Sequence, residues 1–107
     1  MYKPNNPSPL EKEIILRLKY IYDPEIPVNI FELGLIYEIN INDNNDVHVV
    51  MTLTSPNCPV AESLPQQVKD EIERIPEVKE VTIELSFDPP WDSDNISDEA
   101  KLDLGLL

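Results

Sequence analysis

The sequence has little cysteine and no long apolar run, and each shortage excludes a class of protein. A single cysteine among 107 residues excludes an internal disulfide bond. No stretch is long and apolar enough to span a bilayer, and the start Met-Tyr-Lys-Pro-Asn-Asn lacks the apolar segment of a secretion signal. We therefore expect a cytoplasmic protein that has no membrane partner.

Basic side chains are also scarce. Lysine and arginine number 8 against 21 aspartates and glutamates, which gives a formal net charge of −13. A charge of this sign and size repels phosphate backbones and anionic lipid surfaces. We therefore expect no nucleic-acid partner.

Length and composition are those of one globular domain. A chain of 107 residues, 41% of them hydrophobic and 27% charged, is long enough for one core and too short for two ordinary domains. We expect a single domain over residues 1–107, with a loose N-terminus at 1–7 and an acidic C-terminal tail at 88–107. Glycine is rare as well, with two against eleven prolines, so most turns are set by proline.

The first element is a predicted helix over residues 8–22. Ser8 is its N-cap, Pro9 takes the first helical position and Glu11 completes a capping box. Asp23 ends it, because a residue before proline is pushed out of the α region. Its apolar stripe is Leu10, Ile14, Ile15, Leu18, Ile21 and Tyr22.

Alternating apolar residues predict three strands around a second helix. The first two strands form a hairpin, with core faces Leu35, Tyr37, Ile39, Ile41 and then Val47, Val49, Met51, Leu53. The second helix carries Val60, Leu64, Val68, Ile72 and Ile75, and the third strand carries Val81, Ile83, Leu85 and Phe87. The order α-β-β-α-β predicts a small two-layer α/β (α+β) domain, with a hairpin, a parallel crossover strand and both helices on one face.

The lone cysteine lies where the second strand gives way to the second helix. Pro59 suits the first helical position, which makes Cys58 the predicted N-cap. Unpaired N–H groups and the helix dipole favour a thiolate there, the form that attacks electrophiles and binds soft metals. The alternative is a buried cysteine that acts as a small hydrophobic residue.

Strand order brings three loops to one edge of the sheet. The start of the first strand, the end of the second and the end of the third must lie at the same rim, which is where open α/β sheets place ligands. The loop residues gathered there are Asp23, Glu25, Thr54, Cys58, Pro59, Asp88 and Trp91.

Each of these residues also has a purely structural interpretation. Asp23 and Glu25 either orient a species held by the thiolate or end a helix, and Trp91 either lines the rim or caps the core. His48 faces solvent by strand alternation. It lies six residues before Thr54, or roughly 20 Å along the strand, which disfavours a Cys58–His48 catalytic pair.

Several stretches in combination are similar to one family. They are Asp-Pro-Glu-Ile-Pro-Val-Asn-Ile with Leu-Gly-Leu-Ile-Tyr, then Thr-Leu-Thr-Ser-Pro-Asn-Cys-Pro, then Phe-Asp-Pro-Pro-Trp with Ile-Ser-Asp-Glu-Ala-Lys. Over residues 10–105 the chain resembles the SufT/PaaD-like (MIP18-type) family of iron–sulfur cluster assembly proteins. The resemblance implies an auxiliary factor in cytosolic cluster maturation, with Cys58 as its main functional residue and Asp23 and Glu25 in its signature loop.

The resemblance implies iron–sulfur assembly proteins and recipient apoproteins as partners, and iron or a cluster as transient cargo. A cluster normally takes four cysteine thiolates and this chain offers one, so Cys58 is a transient ligand, bridges a homodimer, or contacts a recipient. Two other functions stay open. One is a thiol enzyme in which Asp23 or Glu25 assists Cys58, although no complete catalytic constellation is present and we expect no enzyme. The other is an accessory subunit of an oxygenase-type complex, in which Cys58 is structural.

Overall fold

The architecture is a three-stranded sheet with two long helices packed on one face, as the order of elements predicted. A computed structural model describes residues 2–23, 26–54 and 63–105. The elements are α1 (Pro9–Leu18), β1 (Ile36–Ile41), β2 (Asp46–Met51), α2 (Ser63–Glu73), β3 (Glu80–Leu85), a 3-10 helix (Ser93–Asn95) and α3 (Asp98–Asp103). None of the helices described in these ranges combines the length and the apolar composition needed to cross a bilayer.

Helix α1 begins as predicted and ends earlier. The Ser8 side chain accepts a hydrogen bond from the Glu11 N–H at 3.1 Å, and Pro9 occupies the first turn. The predicted end at Tyr22 is wrong, because the helix stops at Leu18 and Tyr22 is 59% exposed. The N–H groups of residues 19–21 bond three residues back, which tightens the last turn and turns the chain out of the helix before Asp23 is reached.

The sheet has the order β1-β2-β3, with β2 in the centre. Strand β2 pairs antiparallel with β1 and parallel with β3, and the parallel register runs from Asp46↔Glu80 to Met51↔Leu85. The predicted hairpin and parallel crossover are therefore confirmed. The four residues predicted on the core face of the second strand are all at most 2% exposed: Val47, Val49, Met51 and Leu53.

Strand β1 does not alternate strictly, so its predicted core face is wrong at one position. The register shifts between Ile36 and Glu38, which pair with Met51 and Val50, and leaves Tyr37 without a partner in β2. Such a bulge turns the side chains that precede it to the other face. Ile36 is consequently buried at 1% exposure, whereas Tyr37 is only half-buried.

Strand β3 is shorter than predicted. It ends at Leu85, and Phe87 lies beyond it, because the prolines that follow cannot continue a strand. Val81 is buried, but Leu85 and Phe87 are 38% and 42% exposed. The far end of β3 therefore carries apolar side chains that the domain does not cover.

One core joins the two layers. Helix α1 contributes Ile14 and Leu18, and helix α2 contributes residues of its predicted stripe, namely Leu64, Val68 and Ile72, with Ile75 just beyond its end. Arg17 of α1 reaches across to Glu71 of α2 at 3.0 Å. The ion pair is partly exposed, so burial of the apolar stripes carries most of the stability of this contact.

The C-terminal segment packs against the turn before β1. The Ser97 side chain caps α3 by accepting from the Ala100 N–H at 3.2 Å, and its own N–H donates to the Glu32 carbonyl at 2.8 Å. Ile96 and Ala100 are buried in the same core, which anchors this tail to the domain. The other end of the chain is attached too, because Tyr2 donates to Glu11 at 2.7 Å.

Gly34 is the residue at which this packing allows no side chain. Its φ is +79°, and a Cβ atom would overlap the backbone carbonyl oxygen of Asn95. Gly105 has nearly the same φ, +78°, but nothing lies within 4 Å of its Cβ position. Both glycines adopt a left-handed backbone conformation, which other residues rarely do. Only at Gly34 does the missing side chain also let two segments approach closely.

We expect Gly34→Ala to destabilise the domain roughly 1–3 kcal/mol more than Gly105→Ala, because overpacking adds to the same backbone strain. Chemical denaturation of the two variants and the parent measures the difference. Equal losses of stability in the two variants would show that Asn95 moves away from the added methyl group at no cost in free energy.

The Tyr2 hydroxyl predicts a change of stability at high pH. Partial burial, and then the hydrogen bond to Glu11, raise the pKa of Tyr2 from 10.0 to about 12. The protonated hydroxyl therefore stabilises the fold fully below pH 10, and this contribution is lost as the pH rises from 10 towards 12. In an alkaline absorbance titration, one of the four tyrosines ionises last, and Tyr2→Phe removes that phase. A last phase that persists in Tyr2→Phe would assign the shift to another tyrosine.

Candidate functional site

The predicted rim is formed by the ends of all three strands. The Thr52 N–H donates to the Leu35 carbonyl at 2.8 Å, and the Ser86 N–H donates to the Met51 carbonyl at 2.9 Å. The start of β1, the end of β2 and the end of β3 therefore lie side by side. The described parts of the predicted loops meet there.

Residues 88–91 cross the rim from one edge of the sheet to the other. They leave the end of β3, yet the Pro89 carbonyl accepts from the Tyr37 hydroxyl and the Trp91 ring N–H donates to the Leu33 carbonyl, both at 2.8 Å. Because β2 lies between β3 and β1, this segment passes over the end of β2. We call residues 88–91 the crossing segment.

Near the rim, the side of the sheet away from the helices is buried as well. Val50 and Thr52 alternate with the core residues of β2 and point to that side, yet they are 9% and 0% exposed. Trp91 is half-buried and packs against the core, which is how an aromatic that caps the core behaves. Asp88 is exposed, and its carbonyl accepts a hydrogen bond from the Ser86 hydroxyl at 3.1 Å.

The loop of Asp23 is a packed turn. Asp23 is 6% exposed, and its carboxylate accepts from the Ile26 N–H at 2.9 Å. Across the turn, the Ile30 N–H donates to the Ile21 carbonyl at 2.8 Å. Asp23 therefore closes the turn with its side chain rather than ending a helix. Glu25, predicted beside it, lies outside the described residues.

The segment of the cysteine starts at this rim. Thr54 is half-buried and follows the end of β2 by three residues, and α2 is described from Ser63 onward. Cys58 and Pro59 lie outside the described residues, and so does the predicted N-cap of the second helix. Their assignment as site residues stays a prediction.

Other ionisable side chains are spread over the surface. The His48 Nε2 atom lies 3.1 Å from the Glu84 carboxylate, on the side of the sheet away from the helices, as alternation predicted. Within residues 2–23, 26–54 and 63–105, no three histidine, cysteine or acidic side chains are grouped so as to hold a metal ion.

Sequence patterns did not point to two residues of the rim, Tyr37 and Thr52. Tyr37 was assigned to the core face, and the bulge that redirects it has no signature in the sequence. Thr52 is completely buried, and its hydroxyl oxygen finds no hydrogen-bond partner among the described parts of the chain. Strand alternation assigns Met51 and Leu53 to the core face and makes no prediction for Thr52, which lies between them.

The unpaired Thr52 hydroxyl predicts a stabilising substitution. Thr52→Val keeps the shape of the side chain and removes a buried polar group that has lost its water, so we expect a gain of about 1 kcal/mol in the free energy of unfolding. Thr82→Val is the matched control on the same side of the sheet, where the threonine is exposed and the change should be within about 0.5 kcal/mol. Destabilisation by Thr52→Val in denaturant titrations would mean that the hydroxyl is satisfied.

Comparison with known proteins gives the family. The family model described as "Iron-sulfur cluster assembly protein" matches residues 11–85. An "Fe-S protein maturation auxiliary factor" of Porphyromonas gingivalis is 46% identical over 91% of this chain and 92% of its own length. The auxiliary factor YitW of Bacillus subtilis is 37% identical over 91% of this chain and 95% of its own.

The fold agrees with solved structures. The crystal structure of a domain of unknown function from Bacillus anthracis superimposes with a TM-score of 0.84 at 34% identity, over 92% of this chain and 93% of that one. The match extends along nearly the whole chain. By sequence and by fold, the chain belongs to the iron–sulfur cluster assembly family.

Proposed function

We propose that this chain is an auxiliary factor in the maturation of iron–sulfur proteins, and that Cys58 is the thiol through which it handles its cargo. The observation that carries the proposal is the match to the Porphyromonas gingivalis maturation factor, which covers 92% of that relative. A relative matched over 92% of its own length supports a shared role.

The number of thiols favours transfer over storage. A cluster is normally held by four thiolates, and Cys58 is the single cysteine of the chain. The other ligands must come from a second copy, an assembly protein or the recipient. Because one thiolate leaves most of the cluster bound elsewhere, a handover breaks few bonds to this protein.

The surroundings of the cysteine segment support this role. The chain enters this segment after Thr54, three residues beyond the end of β2, where the Thr52 N–H donates to the Leu35 carbonyl. Strand ends of this kind are where open α/β sheets bind ligands, because loops converge there on a rigid base. Asp23 lies in the loop that leads towards β1, and Asp88 is exposed at the start of the crossing segment.

On this proposal the chain is a carrier or adaptor that acts in the cytosol and is not an enzyme. Its partners are assembly proteins and recipient apoproteins, which would offer basic surfaces to a chain whose formal charge is −13. Catalytic turnover of a small substrate that depends on Cys58 would contradict it.

The decisive variant is Cys58→Ser, tested in cells that depend on this protein for the activity of an iron–sulfur enzyme. We expect the enzyme's activity to fall to the level of cells that lack the protein, because a serine hydroxyl is not ionised at neutral pH and binds iron poorly. The purified variant should unfold at the parent's denaturant concentration. Glu73→Gln, which alters an exposed carboxylate near the end of α2, is the control and should retain the activity. Normal activity of the iron–sulfur enzyme in cells that carry Cys58→Ser would contradict the proposal.

Anaerobic reconstitution with iron and sulfide distinguishes carrier from adaptor. Visible absorption that depends on Cys58, in a species with the mass of a dimer, would mean that the thiol bridges a cluster between two chains. Absence of absorption in both parent and variant would favour an adaptor that contacts other assembly components.

A further inference from the structure

The free edge of β3 is an exposed backbone edge with apolar side chains beside it. Strand β3 is the last strand of the sheet, so only one of its edges is paired. The Ser86 N–H points to Met51, and backbone groups of successive residues in a strand point to opposite edges. The N–H and C=O groups of Ile83 and Leu85 therefore point away from β2, and no described residue hydrogen-bonds to them across this edge.

The two sides of this edge differ in chemistry. On the helix side, a groove of about 310 Å³ runs between β3 and α2, lined by Pro65, Gln66, Lys69, Val81 and Ile83, with Thr82 contributing from between the last two. Leu85 extends it with a side chain that is 38% exposed. On the other side, the strand carries two exposed carboxylates, Glu80 and Glu84.

We propose that the free edge of β3 binds an extended segment of a partner protein as an added strand, with apolar side chains towards the groove and basic side chains towards Glu80 and Glu84. Main-chain hydrogen bonds to Ile83 and Leu85 supply the affinity, and alternate side chains supply the specificity. Lys69 disfavours a basic residue on the groove side, whereas the carboxylates favour one on the other. The segment therefore alternates apolar and basic residues.

A second copy of the chain is a poorer occupant of this edge. Each copy carries a formal charge of −13, so pairing two copies places like charges together. Charged residues on an edge strand are a common means of preventing association of identical sheets. A basic partner turns the same carboxylates into attractive contacts.

The inference depends on the exposed edge and not on Cys58, so it stands or falls separately from the proposed function. The probe is a fluorescent eight-residue peptide that alternates valine and lysine, with a peptide that alternates valine and glutamate as its counterpart. We expect the lysine peptide to bind and the glutamate peptide not to bind, by fluorescence anisotropy at physiological ionic strength.

Amide hydrogen exchange locates the peptide. In the free protein the Ile83 and Leu85 amides should exchange quickly, while the Thr82 and Glu84 amides, which face β2, exchange slowly. The lysine peptide should slow exchange at Ile83 and Leu85. Binding that leaves these two amides unprotected would be attraction to the acidic surface in general and would overturn the proposal.

The matched variants are Glu84→Lys, beside the edge, and Glu73→Lys, exposed near the end of α2. Both change the charge equally. We expect Glu84→Lys to weaken binding of the lysine peptide about fivefold and Glu73→Lys to leave it nearly unchanged. Equal effects, an absence of binding, or protection of both amides in a dimer without peptide would each overturn the proposal. Amide exchange of the parent protein at Ile83 and Leu85, with and without the lysine peptide, still tests the proposal if Glu84→Lys does not fold.

Discussion

Pairing of β2 on both sides is the constraint on which the rest of the molecule depends. Its antiparallel partner β1 needs only a short turn, but its parallel partner β3 requires the chain to return along the sheet through α2. The chain must therefore leave β2 at the same rim where β3 later ends. Thr54, the last described residue before the cysteine, lies at this rim because of that one pairing.

The crossing segment is the second constraint, since it joins the two edges of the sheet across the end of β2. Its contacts with Leu33 and Tyr37 require a bulged β1, and the adjoining Asn95 requires a glycine at position 34. These features are spread over more than 60 residues of sequence. Each of them lets the segment after β3 pack closely against residues at the start of β1. Together they make the end of β2 the most enclosed part of the sheet.

The same architecture separates two surfaces with different proposed roles. The rim is the surface from which we propose that the thiol acts, and the free edge of β3 carries backbone groups, apolar side chains and carboxylates. A factor that hands over cargo has to hold a partner while the cargo moves, and a partner strand on β3 would end beside the rim. The two surfaces are nevertheless independent in their chemistry, because one depends on a thiolate and the other on main-chain hydrogen bonds.

The sequence by itself determined the order of elements, the parallel crossover, the core face of β2, the cap at Ser8 and the family. These follow from local spacing and from rules of chain connection that need no coordinates. Only the tertiary structure decided that α1 ends at Leu18, that Tyr37 leaves the core face, that Thr52 is buried and that Asp23 closes a turn. Each of these depends on contacts between segments distant in sequence, and local periodicity carries no information about such contacts.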